Sequence, residues 1–137
     1  KLIKFLDKDS NKMILVGSKS EIERNENLFN KFSTSNLINT TDKYSIEEFC
    51  YLINLSDVVV TGDTVGLHIA IALGKNVVSF FGTTPHQEVD LFGLGEKLVR
   101  EELDCLNCYS QFPCPHDGKC MSLITAEEVY EAVVKYV

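Results

Sequence analysis

The sequence predicts an α/β domain built on an open, doubly wound parallel sheet of the Rossmann-like kind. Three observations predict it. Short apolar runs alternate with helical stretches in the order β-α-β-α-β-α-β. The runs Asp57 to Thr61 (DVVVT) and Asn76 to Phe81 (NVVSFF) are nearly continuous, the pattern of strands covered by helices on both faces. Start and stop signals fall where the intervening helices should begin and end.

Taken in order, the opening KLIKFLDKDSN reads as the last turns of a helix followed by a polar break. Lys12 to Val16 (KMILV) is a strand ended by Gly17, and Ser18 to Phe32 has helical composition. Asn36 to Asn39 (NLIN) is a second strand. After a polar loop, Ser45-Ile46-Glu47-Glu48 matches a capping box and opens a helix running to about Asn54. DVVVT is the third strand, Thr64 to Leu73 a helix closed by Gly74, and NVVSFF the fourth strand. Residues 83 to 95 are loop-rich and Lys97 to Arg100 is a candidate fifth strand. A Cys-rich loop at 104–120 precedes Thr125-Ala126-Glu127-Glu128, a second capping box. That box starts a terminal helix at about 125–136 with Val129, Ala132, Val133 and Tyr136 on one face.

Composition narrows the function classes. A chain of 137 residues suits a single domain, 1–137, with one core. It is 45% hydrophobic and 24% charged, and no apolar run approaches the roughly 20 residues that span a bilayer. Thirteen basic against twenty acidic residues give a formal charge of −7, a field that repels nucleic acid and anionic lipid. A bound phosphate must therefore be held locally. The first residue is Lys1, which reads as the start of a fragment of a larger protein.

The stretch Gly62-Asp63-Thr64-Val65-Gly66-Leu67-His68 carries the chemistry. It lies where the third strand ends and the next helix begins, the place where open α/β sheets bind ligands. The first amides of a helix lack intrahelical partners and carry partial positive charge, so Thr64, Val65 and Gly66 have N–H groups suited to a phosphate. The same residues also admit a purely structural reading. Asp63 or Thr64 would then cap the helix, Gly62 would ease a turn, Gly66 and Ala70 would permit close packing, and His68 would be a hydrogen-bonded core histidine.

The run DVVVTGDTVGLHIAIALGKNVVSFFGTTP and the tail bearing Cys105-x2-Cys108, Cys114-Pro115, Cys120-Met121, Ile124 and Glu127-Glu128-Val129 resemble glycosyltransferase family 9, the ADP-heptose:lipopolysaccharide heptosyltransferases. The resemblance covers roughly Lys12 to Val137. It implies the C-terminal, donor-binding half of a two-domain GT-B enzyme that transfers heptose or a related sugar, with inversion, to a lipopolysaccharide core or another surface glycan. By that resemblance Asp63 contacts donor sugar hydroxyls, the amides of Thr64, Val65 and Gly66 meet the diphosphate, and His68 belongs to the same motif. Glu21 matches a ribose-binding glutamate, although a glutamate in a first helical turn also complements the helix dipole. Thr83, in FGTTP, lies in the loop near the donor. Val65 stands where the family more often has glycine, with Gly66 one residue later.

The resemblance further implies that the catalytic base and acceptor contacts lie in an N-terminal half outside this chain, so that the isolated chain is inactive and contains no catalytic residue. It implies a nucleotide-sugar donor, ADP-heptose, and no required cofactor. The implied setting is the cytoplasm, peripheral to the inner face of the cytoplasmic membrane. Cys105, Cys108, Cys114 and Cys120 supply enough thiols for a tetrahedral zinc site, with His116 as a spare ligand; free thiols and disulfides are the alternatives. Cys50, beside Phe49, reads as a small buried hydrophobe. Two other functions remain open: a non-catalytic phosphate-ligand or protein-binding module, and a zinc-organised interaction element.

Overall fold

The computed structural model describes residues 1–109, 114 and 116–137. It divides into two compact units, Lys1–Phe49 and Cys50–Val137. All strand pairing is parallel, as the α/β class predicts. The described strands fall into two hydrogen-bonded ladders, β1-β2 and β3-β4-β5.

In the first unit, α1 (Leu2–Lys8) precedes β1 (Met13–Leu15), a 3-10 turn (Lys19–Glu21), α2 (Ile22–Phe32) and β2 (Leu37–Asn39). Each strand is three residues long, with Met13, Ile14 and Leu15 opposite Leu37, Ile38 and Asn39. Buried polar side chains tie the carboxyl ends of this pair. Asn25 of α2 donates through Nδ2 to Thr41 Oγ1 at 2.9 Å and to Val16 O at 3.3 Å, and Thr41 Oγ1 donates to Asn39 Oδ1 at 2.7 Å. Ile14 and Ile38 remain exposed, so the expected two-sided covering does not extend to these residues.

The helix α3 (Ile46–Leu55) contains the boundary between the units. It begins at the Ser45 capping box: Ser45 N–H donates to Glu48 Oε2 at 2.8 Å, and Glu48 N–H to Ser45 Oγ at 3.3 Å. Cys50 is half-buried, more open than the sequence predicts.

In the second unit, β3 (Val58–Gly62), α4 (Val65–Ala72) and β4 (Asn76–Phe80) form a right-sized crossover unit, followed by β5 (Gly95–Leu98), α5 (Lys119–Ser122) and α6 (Ala126–Val133). Val77, Val78 and Ser79 of the central strand β4 are fully buried, with Leu67 and Ala70 of α4 and Val129, Ala132 and Val133 of α6 in the same core. The continuous apolar run of β4 thus reports a strand with neighbours on both edges. Gly74, at φ 67°, ends α4 in the left-handed conformation that glycine adopts without steric cost. The second capping box forms as predicted, with Glu128 N–H on Thr125 Oγ1 at 3.2 Å and Thr125 N–H on Glu128 Oε2 at 2.7 Å. The fifth strand starts at Gly95, two residues before the sequence suggests.

Candidate functional site

Parallel pairing of β3 with β4 sets Gly62 opposite Phe80. The segments after both strands therefore leave the sheet at its carboxyl end, which puts the 63–68 corner and the 81–84 loop in the position where such sheets hold ligands. Asp63 and Thr64 form the turn, and α4 begins at Val65.

The details of the turn bear directly on the choice between cap and site. Thr64 occupies the N-cap position in extended backbone (φ −142°, ψ 172°), yet no side chain caps the helix. Its hydroxyl is instead 3.0 Å from Thr61 Oγ1. Asp63 Oδ1 lies 3.4 Å from His68 Nε2, with 24% of the Asp63 side chain and 60% of the His68 side chain exposed. His68 is therefore an outward-facing group one turn into α4, and the core-histidine reading does not hold. The Thr64 carbonyl receives the Leu67 N–H at 3.0 Å, while the preceding amides of Val65 and Gly66 stand at helix positions that have no intrahelical acceptor.

Val65 and Gly62 each answer a question raised by the sequence. Val65 is the first residue of α4, is not among the positive-φ residues, and is 61% exposed. A β-branched side chain is compatible with that backbone, and the Val65 amide is kept. Gly62 also lacks positive φ, and a Cβ there would meet only Phe80 O at 3.9 Å. Neither turn strain nor crowding demands glycine at 62.

Thr83 sits in the loop after β4, half-buried, and its carbonyl accepts the Tyr109 N–H at 2.8 Å. Asp63, Thr64, Val65, Gly66 and His68 thus come together, and Thr83 follows the neighbouring strand. Glu21 belongs to the first unit, after β1, and is engaged structurally. Its Oε2 accepts Ser18 N–H at 2.9 Å and the Ser18 hydroxyl at 3.2 Å, and its Oε1 accepts Arg24 Nη2 at 2.6 Å. The Ser18 amide, with help from Ser18 Oγ and Arg24, holds this carboxyl below the usual glutamate range.

Thr61 is the corner residue that the motif reading passes over. Its signal was present as a hydroxyl three residues before Thr64, at the end of the strand. The one Asp-x-Asp in the sequence, Asp7-Lys8-Asp9, has its first carboxylate occupied by the Thr34 hydroxyl and by Asn36 Nδ2, so Asp7 is tied into the first unit.

All five cysteines are free thiols. Burial pushes the Cys120 thiol up, and the neighbouring Cys105, Cys108 and Cys114 add to the effect. Among the described residues, no group of three or more His, Cys, Asp and Glu side chains is arranged to hold a metal ion. No helix among the described residues is long and apolar enough to cross a membrane.

The corner offers an exposed carboxylate, an imidazole, a hydroxyl pair and uncapped helix amides. Carboxylates accept from sugar hydroxyls, and helix amides bind phosphate oxygens, so the set suits a polyol joined to a phosphate. Residues 1–116 match the family model described as Glycosyltransferase family 9 (heptosyltransferase). No curated protein and no solved structure matches the chain.

Proposed function

Because the chain belongs to glycosyltransferase family 9, and is thus a glycosyltransferase sequence, we propose that the 63–68 corner binds the donor nucleotide sugar. The observation that carries this reading is the uncapped start of α4 beside the exposed Asp63 and His68. In the proposed complex the Val65 and Gly66 amides take diphosphate oxygens, reinforced by the partial positive charge of the helix start. Asp63 accepts hydrogen bonds from sugar hydroxyls and His68 donates from its ring. Thr83 borders the donor.

Amides aimed at the diphosphate stabilise the nucleotide as it departs, which is the electrostatic share of a transfer reaction. The other share, a base at the acceptor hydroxyl, is assigned to a part of the enzyme outside this chain. We take the donor to be an ADP-heptose-type nucleotide sugar and the acceptor a lipopolysaccharide-type glycan on the cytoplasmic side of the membrane. Glu21, whose carboxylate accepts from Ser18 and Arg24, is not needed for this reading.

An amide-resolved NMR titration with ADP, UDP and an ADP-sugar tests the proposal. The expected result is saturable shifts at Thr64 to His68, larger for ADP than for UDP. Saturable binding whose shifts fall elsewhere, with the 64–68 amides still, would overturn it.

A further inference from the structure

The loop that follows β4 is held by chain from the cysteine-rich segment. Asn107 N–H donates to Gly82 O at 3.0 Å, and Tyr109 N–H donates to Thr83 O at 2.8 Å. Gly82 is buried, and a Cβ on it would lie 2.7 Å from Cys120 Sγ, 3.0 Å from Cys120 Cβ and 3.3 Å from Met121 Sδ. The carbonyls of two successive loop residues and the space around the first are thus met by Asn107, Tyr109, Cys120 and Met121.

The backbone accepts an uncommon conformation to make these contacts. Asn107 has φ 62° and Tyr109 φ 50°. Asparagine tolerates the left-handed region, whereas an aromatic residue there is uncommon and persists only where surrounding contacts enforce it. Tyr109 is 68% exposed, so its side-chain packing does not account for the conformation. Its backbone N–H donates a hydrogen bond to the Thr83 carbonyl at 2.8 Å. Cys120 is buried, burial pushes its thiol up, and its side chain packs against Gly82 as a small apolar plug.

We propose that Asn107, Tyr109 and Cys120 form a clasp that fixes the loop at Gly82 and Thr83 for donor binding, with the Tyr109 amide and Cys120 as its positioning groups. The functional half of this proposal rests on the donor-site reading; the clasp itself rests on the contacts above. Its consequence is that residues without donor contact control donor affinity.

The test compares Tyr109→Pro, which removes the amide and forbids positive φ, with Tyr109→Gly, which keeps the amide and suits φ 50°. Cys120→Ala, which removes the sulfur that a Gly82 Cβ would meet first, is the second variant should Tyr109→Pro fail to fold. Tyr109→Pro or Cys120→Ala should speed amide exchange at Asn107, whose N–H donates to Gly82 O, about ten-fold or more, with Val77 to Phe80 unchanged. ADP affinity should fall about five-fold or more, whereas Tyr109→Gly stays within about two-fold of wild type. Unchanged exchange at Asn107, or faster exchange with unchanged ADP affinity, overturns the proposal. If the wild-type protein binds neither ADP nor UDP, the donor-site reading has failed, and the exchange comparison alone sustains or overturns the clasp.

Discussion

Removing the Asp63 carboxylate separates a cap from a ligand. A side chain that caps a helix contributes about 1 kcal/mol, which for a chain of this length corresponds to roughly 3–5 °C in Tm. Asp63 makes no cap bond, and its nearest partner is His68 Nε2 at 3.4 Å. Asp63→Ala should therefore cost less than about 0.5 kcal/mol, or roughly 2 °C. Binding should respond differently to the two halves of the donor. Each hydrogen bond from a sugar hydroxyl to a carboxylate contributes about 1.5–3 kcal/mol, so an ADP-sugar should bind about 10- to 150-fold more weakly to the variant. ADP, which lacks that sugar, should lose nothing, because the variant also removes a negative charge from the neighbourhood of the phosphates. Thermal unfolding and isothermal titration calorimetry with both ligands measure the two effects. A loss near 1 kcal/mol in stability with ADP-sugar affinity intact would refute the assignment and make Asp63 a structural residue.

Three further outcomes follow from named contacts. Gly82→Ala brings a methyl to 2.7 Å from Cys120 Sγ and should destabilise the protein by about 1–3 kcal/mol in denaturant unfolding, with the loss reduced in the Gly82→Ala, Cys120→Ala double variant. Thr125→Ala removes the acceptor of the Glu128 N–H and should cost about 1 kcal/mol, read as a lower Tm. Glu21 is held below the usual range by the Ser18 amide, and Glu128 by the Thr125 amide and Arg100. Both are more acidic folded than unfolded, so their stabilisation is complete above the ordinary glutamate value of about 4.3 and is lost as pH falls through the folded values. A pH series of unfolding midpoints should decline below that point, and Glu128→Gln should decline less.

Legibility followed how local the signal was. The runs DVVVT and NVVSFF gave β3 and β4 because their burial is written into consecutive residues, and Ser45/Glu48 and Thr125/Glu128 gave two helix starts because a capping box closes within four residues. The start of β5 at Gly95 was harder to see, since Gly-Glu-Lys-Leu is polar and its parallel pairing to β4 is a long-range contact. The short helix α5 lies in a segment whose cysteines and prolines dominate the reading. At the site, the motif identified Asp63 to His68 as a group, but not that the Thr64 hydroxyl turns to Thr61 or that His68 faces outward. Those facts depend on rotamers and neighbours that no spacing encodes. Glu21 shows the converse: the sequence admitted both a ribose contact and a helix-start role, and the Ser18 contacts form the second.

The replacement of glycine by Val65 bears on what such a corner requires. A glycine there would matter if the backbone had to enter the left-handed region or if a Cβ closed the approach to the amide. Val65 instead begins α4 with its side chain largely in solvent, and the buried position is Gly66, the next residue. Phosphate recognition at a helix start needs free amides and a side-chain cap that does not compete for them. Thr64 meets the second condition by bonding to Thr61, and Asp63 meets it by facing His68. In the proposed donor complex the Thr61–Thr64 pair therefore serves the corner alongside the motif residues, since without it the Thr64 hydroxyl would be free to turn back onto the amides assigned to the phosphate.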